Sequence, residues 1–178
     1  MDPQQLKNVN KTIWEHLSKA ETTEQNVAKL INQLYQNFPN YDINNYVNPY
    51  LKLSLLHINS QFGRSNIVQG LFQQKPQVDI KDINDRTPLH YAAMSGNVDT
   101  IKVLIQNGAN INAVTLGNET PLMKAAQFNQ QKAVSFLLQH NANTNIKNSL
   151  NQTVSDILRI SHPNLYQKMK QEFPNLIH

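Results

Sequence analysis

One short stretch, Thr87-Pro88-Leu89-His90-Tyr91-Ala92-Ala93 followed by Met94-Ser95-Gly96, recurs at a fixed interval, and that interval constrains the fold more than any other feature of the sequence. A step of 33 residues forward from Thr87 reaches Thr120-Pro121-Leu122-Met123-Lys124-Ala125-Ala126. The same step backward reaches Ser54-Leu55-Leu56-His57, with Gly63 shortly after it. A further step forward gives Thr153-Val154-Ser155-Asp156-Ile157-Leu158. Anchors at 54, 87, 120 and 153 with no gap between them make a repeat, and a fixed period in this range predicts a stacked array of supersecondary units. Such an array needs no single central core, because each unit buries its apolar face on its neighbours.

The composition suits thin layers: 39% hydrophobic residues, with a modest net charge of +4. Lys and Arg are scattered singly, so no nucleic-acid footprint is indicated. The chain has no cysteine, which rules out disulfides and thiolate metal sites and permits a reducing compartment. No apolar run approaches the ~20 residues of a membrane span. The start, Met1-Asp2-Pro3-Gln4-Gln5, lacks the pattern of a secretory signal, so the expectation is a soluble cytoplasmic protein. Three N-x-T matches are ascribed to chance, since Asn and Gln make up roughly a quarter of the residues.

Before the repeats, Leu6, Val9, Ile13, Trp14 and Leu17 are spaced by three and four, which predicts an amphipathic helix over 3–19. Thr22 with Gln25 reads as a capping box opening a second helix, whose stripe of Val27, Leu30, Ile31, Leu34, Tyr35 and Phe38 stops at Pro39. This hairpin covers the open end of the stack, either as a divergent repeat or as an unrelated pair of helices. Residues 39–53 are the longest irregular stretch and carry Tyr41, Tyr46 and Tyr50, which pack on the first repeat or form a binding loop. Aligning Ile43 with its later counterparts requires two extra residues before Ser54, so the first finger is expected to be distorted. At the other end the unit from Thr153 loses the proline and the alanine pair, and Pro163 opens its second helix. Phe173-Pro174 ends that helix, and the last residues are expected to fray.

T-P-L-H-x-A-A at this period resembles the ankyrin repeat, over roughly residues 45 to 172. The resemblance implies an all-α solenoid of helix-turn-helix units with β-turn fingers: a helical hairpin over 1–44, three repeats over 45–146 and a capping repeat over 147–178. It also implies positive φ at three positions of each unit, where Gly, Asn and Asp are best tolerated. Those positions hold Asp85, Asn118 and Asn151 at the finger tip, Gly63, Gly96 and Asn129 after the first helix, and Gly108 and Asn141 after the second. Lys52, Lys75 and His162 depart from the pattern. His57 and His90 fall on the position that ties neighbouring loops in the family, and Asp82 on one used for turn chemistry.

No Gly-x-Ser-x-Gly element, phosphate loop or metal-ligand cluster is present, so no catalytic residue, metal or cofactor is expected and the chain is not read as an enzyme. The resemblance implies a protein partner held on a concave face of finger tips and first helices, with no nucleic acid, membrane or small-molecule substrate. Carried over position by position, that face presents Phe62, Ile83, Met94, Leu116, Phe128 and Leu150 as an apolar trough, with Lys81, Arg86, Glu119 and Lys147 as its polar rim. The competing reading leaves Phe62 and Phe128 tucked against their own fingers, and the leucines as scattered surface residues. Three roles stay open: a monomeric adaptor or scaffold, a structural subunit of a hetero-complex, and a bacterial effector acting in a host cell.

Overall fold

A computed structural model describes residues 2–19 and 22–177. Its elements are α1 (Pro3–Leu17), α2 (Glu24–Asn37), β1 (Tyr46–Asn48), β2 (Leu53–Ser54), α3 (Leu55–Gln61), α4 (Ser65–Leu71), α5 (Pro88–Ser95), α6 (Val98–Gln106), α7 (Pro121–Gln127), α8 (Gln131–Gln139), α9 (Val154–Ser161) and α10 (Pro163–Glu172). First helices α3, α5, α7 and α9 stack on one another as an inner layer, while α4, α6 and α8 form an outer one that α2 extends. The last helix, α10, packs on α9 and reaches α8, where Ser135 donates to Glu172 at 3.2 Å. Antiparallel β1 and β2 form the single sheet among the described residues. His178 lies outside the described residues.

Small side chains bring the layers close. Ala92, Ala93, Ala125 and Ala126 are wholly buried on the inner helices, facing Ile101, Leu104, Val134 and Leu137 of the outer ones. Full burial of each such Leu or Ile contributes about 1.5–3 kcal/mol, so the array is held by many modest layers. Pro88 and Pro121 stand in the first turns of α5 and α7, where a missing N–H costs nothing. Thr120 and Thr153 cap α7 and α9 by accepting from the backbone N–H three residues on.

The turns follow the pattern expected from the sequence. All eight predicted Gly, Asn and Asp positions have positive φ, and so do Lys52 and Lys75, both at 52°. These two lysines sit in the left-handed region without the side chain that tolerates it. His162 departs in conformation too, at φ −140°, because Pro163 immediately after it disfavours helical angles at the preceding residue.

The distortion of the first finger can be measured from side chains. Asn44, Asp79 and Asn112 each accept a backbone N–H from the following unit, from Gln77, Asn110 and Asn143 respectively. The later two contacts span 31 residues and the first spans 33, so two extra residues lie in that finger. They make β1 and β2 a hairpin with an irregular register between Tyr46 and Asn48. Tyr41 is buried and donates to Asn10 at 2.8 Å, and the Tyr46 hydroxyl lies 3.3 Å from the Lys81 carbonyl, so two of the three tyrosines pack. Tyr50 is 84% exposed.

Two expectations are corrected. Thr23, not Thr22, caps α2 by accepting from Asn26; Thr22 instead donates to the His16 carbonyl at the end of α1. The C-terminus does not fray through residue 177: Ile177 is fully buried, and its N–H donates to Phe173.

A contact that the sequence pattern did not reveal joins the N-terminal hairpin to the array. Arg64, 4% exposed, donates to the carbonyls of Leu17, Lys19 and Thr22 at 3.1, 3.2 and 3.4 Å. Its guanidinium takes the Leu17 carbonyl at the end of α1 and two carbonyls just beyond it, and its charge complements the negative pole there. Burial pushes its pKa below the usual value, with Glu24 opposing.

Lys75→Gly is expected to raise stability. A non-glycine residue in the left-handed region costs about 1–2 kcal/mol, partly offset by the greater chain entropy of glycine. The net gain of ~0.5–1 kcal/mol should appear as a rise of roughly 1–4 °C in thermal midpoint; an unchanged or lower midpoint contradicts the strain.

Candidate functional site

The fingers are built by one side-chain acceptor per turn. Asp82 Oδ1 accepts from the N–H groups of Asn84 and Arg86, both at 2.8 Å. Thr115 does the same for Gly117 and Glu119, and Asn148 for Leu150 and Gln152. Burial opposes ionisation of Asp82, but hydrogen bonds from Tyr91, Arg86 and Asn84 outweigh it and hold the carboxyl below its ordinary range. Successive tips are then joined through their backbones. Ile83 N–H donates to Leu51 at 3.1 Å, Leu116 to Asn84 at 3.0 Å and Ser149 to Gly117 at 2.9 Å. Four tips therefore form one hydrogen-bonded edge.

Histidines anchor the roots of the fingers. At the start of α5 the Thr87 N–H donates to His90 Nδ1 at 3.1 Å, so Nδ1 is unprotonated and Nε2 carries the hydrogen that it gives to the Glu119 carbonyl at 3.0 Å. One unit earlier, Ser54 N–H meets His57 Nδ1, and Nε2 reaches the Arg86 carbonyl at 3.0 Å. Burial lowers both histidine pKa values to about 4, because a proton added at Nδ1 would be desolvated and would face an N–H donor. The third unit has Met123 at this place, fully buried. In the fourth, Asp156 accepts from Thr153 N–H.

The sequence-derived candidates separate into three groups. Ile83, Leu116, Phe128 and Leu150 are exposed, at 48, 69, 51 and 76%. Phe62 and Met94 are half-buried, Phe62 packing against the core with the Arg64 guanidinium 4.6 Å from its ring centroid. Three of the four charged candidates are held by their own chain, while the Lys147 side chain is exposed. Lys81 pairs with Asp85 at 2.8 Å, Arg86 with Asp82 at 2.8 Å, and Glu119 with Lys124 while also accepting from Gln127. The Glu119 carboxyl is destabilised by burial but held below its ordinary pKa by Lys124 and Gln127. This bridge ties the third finger to α7.

Exposed Leu51 and Ile160 escaped the sequence reading, which left Tyr50 open between packing and a binding loop. Tyr50 and Leu51, 84 and 44% exposed, are the tip of the first finger, hidden by the two-residue insertion. Ile160, 65% exposed, stands two periods after Met94, so the repeat itself carried its signal. Among the described residues no group of His, Asp or Glu is placed to hold a metal ion, and no helix is long and apolar enough to cross a membrane.

A family model of ankyrin repeats, described as three copies, matches residues 20–115 and 56–148. The chain belongs to the ankyrin-repeat family. No curated protein sequence matches it. Ankyrin repeats are generally protein–protein interaction modules and generally non-catalytic. In this ankyrin array the backbone-linked finger tips each expose an apolar side chain, Tyr50, Ile83, Leu116 and Leu150.

Two outcomes follow from this geometry. The unfolded chain protonates its histidines near pH 6.5, but folded His57 and His90 resist until about pH 4. Their contribution is complete above 6.5 and is lost as pH falls toward 4, by up to ~3 kcal/mol per histidine. Urea midpoints measured from pH 7 to 4 should fall accordingly, and His57→Met with His90→Met, the residue already used at Met123, should flatten the profile. A profile unchanged by those substitutions would locate the acid sensitivity elsewhere. Separately, Leu116→Ala with Phe128→Ala should cost under ~1 kcal/mol in denaturant unfolding, as surface changes do; a loss of several kcal/mol would mean that these side chains are packed.

Proposed function

We propose that this ankyrin protein is a non-catalytic adaptor that grips a partner protein along its finger edge and the neighbouring ends of its inner helices, with residues 1–44 and 147–178 closing the stack. One observation carries the reading: consecutive finger tips each expose a large apolar side chain, Tyr50 at 84%, Ile83 at 48%, Leu116 at 69% and Leu150 at 76%. A solvated edge has no use for an apolar residue at every step, whereas an interface core is built from such anchors inside a polar ring. Phe128 and Met94 extend the apolar side toward the helices, and Lys81, Arg86 and Glu119 form the ring. Because those three charges are already paired, they are ordered before binding, which reduces the entropy lost on association. The role as adaptor favours a monomer that meets its partner in the cytoplasm, a compartment that a cysteine-free chain tolerates.

Affinity capture from the native cell tests the proposal. Leu116→Glu with Leu150→Glu should reduce the captured partner more than about tenfold, in line with the loss of two anchors of 1–2 kcal/mol or more. Lys102→Glu on the exposed outer layer should leave it unchanged. Equal capture by both variants would rule out the finger edge as the binding surface.

A further inference from the structure

A groove of about 730 Å³ runs between α1 and the first finger, on a side of the molecule that the repeat pattern does not build. Leu6 and Trp14 of α1 line it on one side and Val47, Pro49 and Tyr50 of the first finger on the other. Two of its asparagines already serve the fold. Asn10 donates to the Tyr46 carbonyl at 3.2 Å and accepts from Tyr41 at 2.8 Å, and Asn48 accepts from Leu51 N–H at 3.0 Å. The surface left for an occupant is mostly apolar and aromatic, and its polar part is exposed Asn8 and two lysines. Lys7 and Lys11, one helical turn apart on α1, line the same groove, and no acidic side chain does. Lys11 has only a loose, exposed pairing with Glu15 at 3.8 Å.

We propose that this groove holds an extended acidic segment of a partner protein, with one large apolar side chain seated between Trp14 and Tyr50 and its carboxylates beside Lys7 and Lys11. The dimensions fit. The lining residues of α1 run from Pro3 to Trp14, about 16 Å at the rise of a helix, which an extended peptide covers in about five residues. The charge selects the sign of the occupant, since two lysines without an acid in the lining favour carboxylates and disfavour a basic segment. Because Asn10 is spent on holding α1 to the finger, apolar contact and charge carry most of the recognition. The proposal shares Tyr50 with the finger edge but uses neither Leu116 nor Leu150, so the two surfaces can be tested apart.

Trp14 is the single tryptophan of the chain and reports on the groove directly. The full chain would be titrated with the hexapeptide Glu-Glu-Phe-Leu-Glu-Glu while Trp14 emission is followed. A saturable change with a midpoint below about 1 mM is expected. The Gln-Gln-Phe-Leu-Gln-Gln peptide should bind about tenfold more weakly, and so should the acidic peptide to Lys7→Glu with Lys11→Glu, an effect sized for two partly exposed ion pairs. Both lysines are exposed, so circular dichroism and thermal midpoint should match the parent and separate lost binding from lost folding. The Leu116→Glu with Leu150→Glu variant should bind the peptide normally. No saturable response, equal binding of the glutamine peptide, or undiminished binding by the lysine variant would each overturn the proposal. So would Trp14 emission that responds to phosphatidylserine vesicles and not to peptide, or sedimentation showing that a second copy of the chain fills the groove.

Discussion

A finger in this solenoid leaves backbone donors and acceptors that its own unit cannot satisfy, and the next unit supplies them. The Glu119 carbonyl accepts from Thr115 in its own turn and from His90 in the preceding unit, and Arg86 is held likewise by Asp82 and His57. At the tips, Ile83, Leu116 and Ser149 donate to the finger before them. Buried or edge backbone groups without partners are costly, so each unit is stable only in the presence of its neighbour. The neutral state of the two histidines belongs to the same constraint: each ring is an acceptor toward its helix start and a donor toward the next finger, and a second proton would break one of the two.

That coupling determines what the surface can offer. Polar side chains near the fingers are drawn into the scaffold: Asp82 closes a turn, Arg86 covers Tyr91 and pairs with Asp82, and Glu119 ties its finger to α7. What stays uncommitted is the apolar residue at each tip. A rigid edge with exposed apolar side chains and paired charges has little conformational entropy left to lose, which is the property the proposed binding role requires.

The N-terminal end obeys different rules. Two extra residues turn the first finger into a β-hairpin, and the strand Tyr46–Asn48 receives α1 through Asn10. Arg64 holds the carbonyls at the far end of the same helix, so α1 is fixed at two points by residues of the array. The groove beside Trp14 exists because α1 meets an irregular finger here and not another regular unit.

The sequence by itself determined the array. A period of 33 residues, the Thr-Pro start of the inner helices and the Gly, Asn or Asp at each left-handed turn are local requirements, decided by backbone sterics within a few residues, and the positive φ values fall where those residues stand. It also separated tip residues from core ones, which is why Ile83, Leu116 and Leu150 were legible as exposed. Tertiary structure alone decided the rest. Arg64 could not be read as a clamp for α1, because its partners lie more than 40 residues away and are backbone atoms with no sequence signature. Phe62 is half-buried, packed on the core with the Arg64 guanidinium 4.6 Å from its ring, while Phe128, at the same position of a later unit, is exposed. Local conformation is set by neighbours along the chain, whereas the availability of a side chain is set by whatever the fold brings beside it.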